Sequence, residues 1–152
     1  MNEHLLISFV LELTQQLLDT YFLPHDVQRL EAYSKNQVEY RLILDLTSDL
    51  CQLYYHGFMT DAPIDALQKA ILLGVGLQNK SMEQLCDEFN MPMNQVLAKF
   101  YDCIKKLTKK CLSVMESSVE EKMIKSSDLN RGQHFTPTKS TFMEELDDAA
   151  KV

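Results

Sequence analysis

The stretch from about Met93 to beyond Met115 constrains the fold more than any other part of the sequence. Placed on a helix, eight of its apolar side chains fall within one arc of about 100°, and its lysines fall within an opposite arc of about 140°. An apolar stripe at this spacing predicts a long helix with one face in a hydrophobic core. The stripe consists of Val96, Leu97, Phe100, Ile104, Leu107, Cys111, Val114 and Met115.

The remainder of the chain also favours helices. Only four glycines and four prolines occur in 152 residues, so few positions favour turns, which argues for long helices rather than many short strands. We predict a first helix from His4 to Asp19 and a second from Pro24 through Tyr33. A third begins with a capping box of Asn36 and Glu39 and ends at Gly57. A fourth starts at Asp61 to Pro63 and runs from Ile64 to about Leu77.

A helix-turn-helix layout precedes the lysines. Ser81 and Gln84 form a capping box that opens a short helix, and Asn90, Met91 and Pro92 break that helix before the long one begins. The sequence therefore predicts an all-α fold, a helical bundle of about six helices that includes this helix-turn-helix-like pair.

The composition changes near the C-terminus. After Ser126 it shifts to Asn, Gly, Thr, Pro and Ser, which predicts a flexible C-terminal strap over residues 127–140, followed by a short acidic helix from Met143 to Lys151. We therefore predict a helical domain at 1–126 and a tail at 127–152.

The apolar run at residues 5–11 is too short for a membrane span, which needs about 20 residues, and lacks the flanks of a signal peptide. A cytosolic or nuclear compartment is expected.

No catalytic or metal-binding pattern is evident. The four cysteines form no C-x-x-C pair and no two histidines lie four residues apart, so zinc is unsupported and reduced core cysteines are expected. The glycines of Gly74-Val75-Gly76 could belong to a dinucleotide loop, but no strand precedes them, and a close crossing of two helices is the better interpretation. No G-x-x-x-x-G-K-[ST] phosphate loop is present.

Positive charge is concentrated in one segment of an acidic chain. The formal net charge is −7, yet residues 92–110 hold five lysines and one aspartate. Local potential attracts a polyanion, and five lysines could neutralise at most about five phosphates without reading bases. The same lysines would also suit a merely solvated helix face. The candidate RNA-binding residues are Lys99, Lys105, Lys106, Lys109 and Lys110, with Lys80 at the preceding turn as a secondary candidate.

Several ordered blocks, spread over roughly residues 22–152, form a recognisable pattern. They are residues 26–36 with Glu39-Tyr40 and Leu42-Ile43, residues 72–78 with Lys80-Ser81 and Gln84-Leu85, Lys105-Lys106, and residues 144–151. Together they resemble the C-terminal tRNA-binding domain of the RNA cytidine acetyltransferases.

The resemblance implies a function that is shared with other modules. Proteins of that family use ATP and acetyl-CoA to acetylate the exocyclic amine of cytidine in tRNA and small-subunit rRNA, and ATPase and acetyltransferase modules precede this domain. Neither the Walker loop nor the acetyl-CoA pyrophosphate loop occurs in this sequence. No catalytic residue or cofactor site carries over, and no enzymatic activity of the isolated chain is expected.

The expected role is therefore to bind and position structured RNA during tRNA and rRNA processing. The family's eukaryotic members imply a location in the nucleus and nucleolus, with the other modules as partners and no membrane. The alternative is a protein–protein interaction domain that packs against the acetyltransferase module or a second subunit without direct RNA contact.

Overall fold

The computed structural model describes residues 11–132. Within this range it is all-α, without strands, so the predicted fold class is confirmed. A 3-10 turn at Tyr40–Ile43 precedes the third helix. The helices are α1 (Gln15–Tyr21), α2 (Pro24–Ser34), α3 (Leu44–Tyr55), α4 (Ala66–Gly76), α5 (Met82–Phe89) and α6 (Met93–Gly132). None of the helices in this described part has the length and apolar character that a membrane span requires.

Helix α1 begins later than the sequence predicts. The hydroxyl of Thr14 accepts a hydrogen bond from the Leu17 amide at 3.2 Å and caps the helix, and residues 11–14 are not helical. The predicted helix from His4 to Asp19 is therefore wrong over residues 11–14, because a local cap fixes the start. Residues 4–10 lie outside the described residues.

The end of α2 reassigns Asn36. This residue adopts the left-handed conformation, with a φ of 60°. The Gln37 amide donates to the Ala32 carbonyl and the Asn36 amide to the Tyr33 carbonyl, which is a Schellman closure of α2. The predicted capping box is wrong, because Asn36 ends one helix instead of starting the next. Pro24 occupies the first turn of α2, as predicted.

The crossing of α3 and α4 requires a glycine. A Cβ added to Gly76 would lie 2.6 Å from the Cβ of Cys51 and 3.0 Å from the Thr47 carbonyl oxygen. Both of those atoms belong to α3, so a side chain at position 76 would push the helices apart. The predicted close helix–helix crossing at Gly74-Val75-Gly76 is confirmed.

The start of α4 lies later than predicted. Asp65 caps the helix by accepting from the Gln68 amide at 2.8 Å, and the Gln68 side chain accepts from the Asp65 amide at 3.2 Å. This reciprocal capping box leaves residues 61–65 outside the helix. The predicted start at Asp61 to Pro63 is wrong, and these residues instead form a segment that we call the acidic loop.

The core of the unit that ends at Glu116 contains most of the predicted α6 stripe. Five members are buried and three pack partly buried against them. In the 3-10 turn before α3, Ile43 is buried and Leu42 is 53% exposed. Burial raises the pKa of the Cys103 and Cys111 thiols to about 12, as expected for inert core cysteines, and both are free.

The chain divides into two compact units after Glu116, within α6. Because α6 continues to Gly132, the predicted flexible strap is wrong for residues 127–132. Residues 133–140 and the possible helix from Met143 to Lys151 lie outside the described residues. The division into a domain at 1–126 and a tail at 127–152 stays a prediction.

Candidate nucleic-acid interface

Helix α6 carries five of the six candidate lysines, and the turn before it sets where they begin. Asn90 ends α5 in the left-handed conformation, with a φ of 51°, and its own amide donates to the Cys86 carbonyl. Pro92 then precedes the helix, and the Val96 amide donates to its carbonyl. Since the apolar stripe of α6 is buried, the lysines lie on the remaining surface of the helix.

Three of these lysines contact the acidic loop, and we call them the bound row. Lys99, Lys106 and Lys110 are seven and four residues apart, so they share one narrow face of α6, about 40° wide. The Lys110 ammonium lies 2.7 Å from a carboxylate oxygen of Asp61, and the Lys99 ammonium lies 3.4 Å from one of Asp65. The bound row therefore joins α6 to the loop before α4.

Lys106 has the most buried partner of the three. Its ammonium donates to the Pro63 carbonyl at 2.8 Å and to the Gln68 side-chain oxygen at 3.2 Å. Gln68 is 2% exposed, and the same oxygen accepts from the Asp65 amide in the capping box. Lys106 is thereby part of the structure that begins α4.

The carboxylate of Asp65 stays charged at neutral pH. The hydrogen bond from the Gln68 amide holds the pKa of Asp65 below its ordinary value, and the ammonium groups of Lys99 and Lys106 lower it further. The Lys99–Asp65 and Lys110–Asp61 pairs remain partly exposed, with side-chain exposures of 41% and 49% in the first and 29% and 62% in the second. Exposed pairs of this kind contribute little to stability.

The other two lysines form the open row. Lys105 and Lys109 are exposed and, within residues 11–132, lie in no ion pair with a carboxylate. The Lys105 ammonium lies 5.8 Å from the ring centroid of Tyr101, in the range of a cation–π contact. Tyr101 is itself fixed, because its hydroxyl donates to the Ser34 carbonyl at 2.7 Å.

Lys80 is held by a neighbouring helix. Its ammonium lies 2.8 Å and 2.7 Å from the two carboxylate oxygens of Glu88 on α5, and its amide donates to the Gly74 carbonyl. The structure thus distributes the six candidates among three settings: the bound row, the open row and an ion pair with α5.

Sequence reasoning missed the acidic loop and Tyr101. The pattern Asp65-x-x-Gln68 is a capping signal that could have placed the start of α4 correctly. Nothing local indicates that the loop meets lysines 34 to 49 positions further on. The role of Tyr101 likewise depends on its contact with Ser34, 67 positions earlier.

A second surface surrounds Arg29. The guanidinium donates to Asp26, to Asp45 and to the Leu42 carbonyl at 2.7–3.0 Å, while the Leu23 amide donates to the Asp26 carboxylate. This network brings the backbones of Leu23 and Leu42 to one region. Three exposed leucines belong to this network or adjoin it in the sequence, and we call them the leucine surface: Leu23, Leu42 and Leu44.

The fold and these surfaces define an all-α domain with a lysine-bearing helix and a separate apolar surface. Among the described residues, no group of histidine, cysteine and acidic side chains could hold a metal ion. The chain belongs to the family whose model is described as "Possible tRNA binding domain", which matches residues 8–152.

Several curated relatives are similar to this sequence, and each of the three that follow is named RNA cytidine acetyltransferase. The protein of Drosophila melanogaster is 43% identical over 91% of this chain and 14% of its own length. That of Homo sapiens is 38% identical over 91% of this chain and 13% of its own length. That of Saccharomyces cerevisiae is 37% identical over 72% of this chain and 10% of its own length. The chain thus spans about one seventh or less of these relatives, and the family resemblance is confirmed.

Proposed function

We propose that the chain is an RNA-binding domain that positions tRNA and small-subunit rRNA for cytidine acetylation performed by other modules. The family description and the names of the relatives support an RNA partner. The structural observation that carries the proposal is the open row, two exposed lysines on α6 without a carboxylate partner in the described part of the chain.

The chemistry of the open row favours the phosphate backbone over the bases. A lysine ammonium binds phosphate as a point charge, whereas base reading relies largely on the bidentate geometry of arginine, asparagine or glutamine. If the open row alone binds, the logarithm of the affinity should fall against the logarithm of salt concentration with a slope of about −2. If all five α6 lysines bind, the slope should be about −4 to −5.

Charge reversal of the open row tests the proposal. Lys105→Glu with Lys109→Glu should weaken binding of a tRNA transcript to the full chain about tenfold or more, measured by fluorescence anisotropy at fixed salt. Lys122→Glu with Lys125→Glu is the matched control, because both lysines are exposed on the same helix beyond Glu116. Equal losses in the two pairs would show that overall charge, and not the open row, determines binding.

The proposal assigns ATP and acetyl-CoA to the other modules of the parent protein, since this sequence contains neither of the family's two cofactor loops. The same modules would be its protein partners. In this account the domain acts in the nucleus and nucleolus, in tRNA and rRNA processing. Fluorescence microscopy of the tagged parent protein checks the location, and an even cytoplasmic distribution would contradict it.

The leucine surface favours a second candidate function, a docking domain for the acetyltransferase module without direct RNA contact. Leu23 and Leu42 are 67% and 53% exposed, and hydrogen bonds to Asp26 and Arg29 hold their backbones. Leu42→Glu should then abolish co-purification with that module. If the variant co-purifies normally while the open-row variant loses RNA, the docking function is wrong.

A further inference from the structure

The acidic loop holds carboxylates against two lysines that are otherwise suited to phosphate. Asp61 contacts Lys110 and Asp65 contacts Lys99, and these lysines lie eleven residues apart, about 16 Å along α6. A carboxylate oxygen and a phosphate oxygen make the same kind of charge-assisted contact with an ammonium group. The loop therefore occupies positions where RNA phosphates could bind.

The two contacts are built so that a competitor can replace them. Both ion pairs are partly exposed, and the Lys99–Asp65 distance of 3.4 Å is long for a charge-assisted hydrogen bond. The Asp61 side chain caps no helix among the described residues, so it can leave Lys110 without opening α4. Lys106, in contrast, is tied to the buried Gln68 and stays with the fold.

One RNA surface can reach both rows. All five lysines lie within an arc of about 140° of α6, with the open row beside the bound row. An RNA that first meets Lys105 and Lys109 brings further phosphates close to Lys99 and Lys110. Displacing the two aspartates would double the number of lysines available to that RNA from two to four.

We propose that Asp61 and Asp65 act as an intramolecular competitor of RNA phosphate, holding Lys110 and Lys99 until bound RNA displaces them. This inference rests on the proposed function and describes the regulation of the same site. Its consequence is a threshold: an RNA that engages only the open row binds weakly, and an RNA with phosphates along both rows binds more tightly.

Removing the negative charges of Asp61 and Asp65 tests whether these side chains compete with RNA phosphate. In the full chain, Asp61→Asn with Asp65→Asn should tighten binding of a tRNA transcript about three- to tenfold at fixed salt. Asparagine at position 65 preserves the helix cap, because its amide oxygen can still accept from the Gln68 amide. Asp87→Asn with Asp128→Asn is the control for overall charge, since both side chains are exposed and neither forms an ion pair within the described residues.

A double-mutant cycle separates competition from a general charge effect. If Asp61 acts through Lys110, then Asp61→Asn should tighten binding in the wild-type background and change little in a Lys110→Gln background. An equal gain in both backgrounds overturns the inference. Circular dichroism confirms that each variant is folded; if the double asparagine variant is not, Asp61→Asn alone decides, because Asp61 is no cap.

The failures of the inference and of the proposed function are distinguishable. Suppose that the wild-type chain binds tRNA and the open-row variant does not, but the asparagine variants bind like wild type or like the Asp87/Asp128 control. The proposal that Asp61 and Asp65 compete with RNA phosphate is then wrong, while the proposed RNA-binding function stands. If wild-type chain and every asparagine variant fail to bind RNA at low salt, the proposed function is overturned, and the competitor with it.

Discussion

The bound row and the open row lie on the same helix, within a few residues of each other, yet they differ in what holds them. The bound row is tied to the acidic loop through Asp61, Asp65 and Gln68, whereas Lys105 of the open row rests against an aromatic ring. Periodicity places all five lysines on one surface. The availability of each lysine for a partner therefore depends on which distant segment packs beside it.

The crossing of α3 and α4 offers the largest perturbation. Gly76→Ala should destabilise the chain by about 2–3 kcal/mol, because the new Cβ would overlap the Cβ of Cys51 and the Thr47 backbone. Urea unfolding measures the loss. The bound row should open with it, since the acidic loop leads into α4.

Gly74→Ala is the matched control for that substitution. Its Cβ would overlap the end of the flexible Leu85 side chain, at 2.7 Å, and would make an ordinary contact with the Lys80 side chain at 3.7 Å. The Leu85 side chain can shift at lower cost than backbone. Equal destabilisation by the two alanine variants would contradict the assignment of the close contact to Gly76.

Gln68 offers a narrower way to disturb the bound row. Gln68→Ala should cost about 1–2 kcal/mol, because it removes an acceptor shared by the Asp65 amide and the Lys106 ammonium. Unfolding experiments and amide hydrogen exchange at the start of α4 would register the change. Gln68→Glu keeps the acceptor oxygens and should recover most of the loss. Failure of the glutamate variant to recover stability would indicate that the two hydrogen bonds are not the cause.

Two substitutions of Tyr101 distinguish its contribution to stability from its contribution to RNA binding by the open row. Tyr101→Phe loses the hydrogen bond to the Ser34 carbonyl and should destabilise the chain by about 1 kcal/mol, yet it keeps the ring beneath Lys105. Tyr101→Leu also removes the ring and should weaken tRNA binding about twofold. If phenylalanine weakens binding as much as leucine does, the ring is not what positions Lys105.

Features of the fold can be predicted from the sequence when the residues that make contact lie close together along the chain. The two faces of α6 and the capping box of Ser81 and Gln84 follow from local spacing, and both are present. Asn36 was misassigned because asparagine suits both a helix start and a left-handed helix end. The local sequence is compatible with either a helix start or a helix end at Asn36, and the hydrogen bonds of the Gln37 and Asn36 amides show that it is a helix end.

The site was less predictable than the fold. The division of five lysines into two rows depends on the acidic loop, whose contacts with Lys99 and Lys110 join residues 34 and 49 positions apart. Composition shows only that the first part of the chain is acidic and that the segment with the five lysines is basic. Complementary charges of this kind permit a contact, but only the tertiary fold selects the pairs that meet.

The smallest expected effect is the pH dependence of the bound row. Because the pKa of Asp65 is held below 3.8 in the folded chain, its carboxylate contributes stability above that value and loses the contribution as pH falls through the lowered pKa. The stability difference between wild type and Asp65→Asn should therefore be constant from pH 5 to 8 and shrink below about pH 4. A difference that grows on acidification would have the wrong sign.

Amine reactivity of the individual lysines tests the division into two rows most directly. With limiting acylating reagent and peptide mass spectrometry, Lys105 and Lys109 should react faster than Lys99, Lys106 and Lys110 in the free chain, and added tRNA should slow the reaction of the open row. Equal rates at all five lysines, or a faster bound row, would contradict the account.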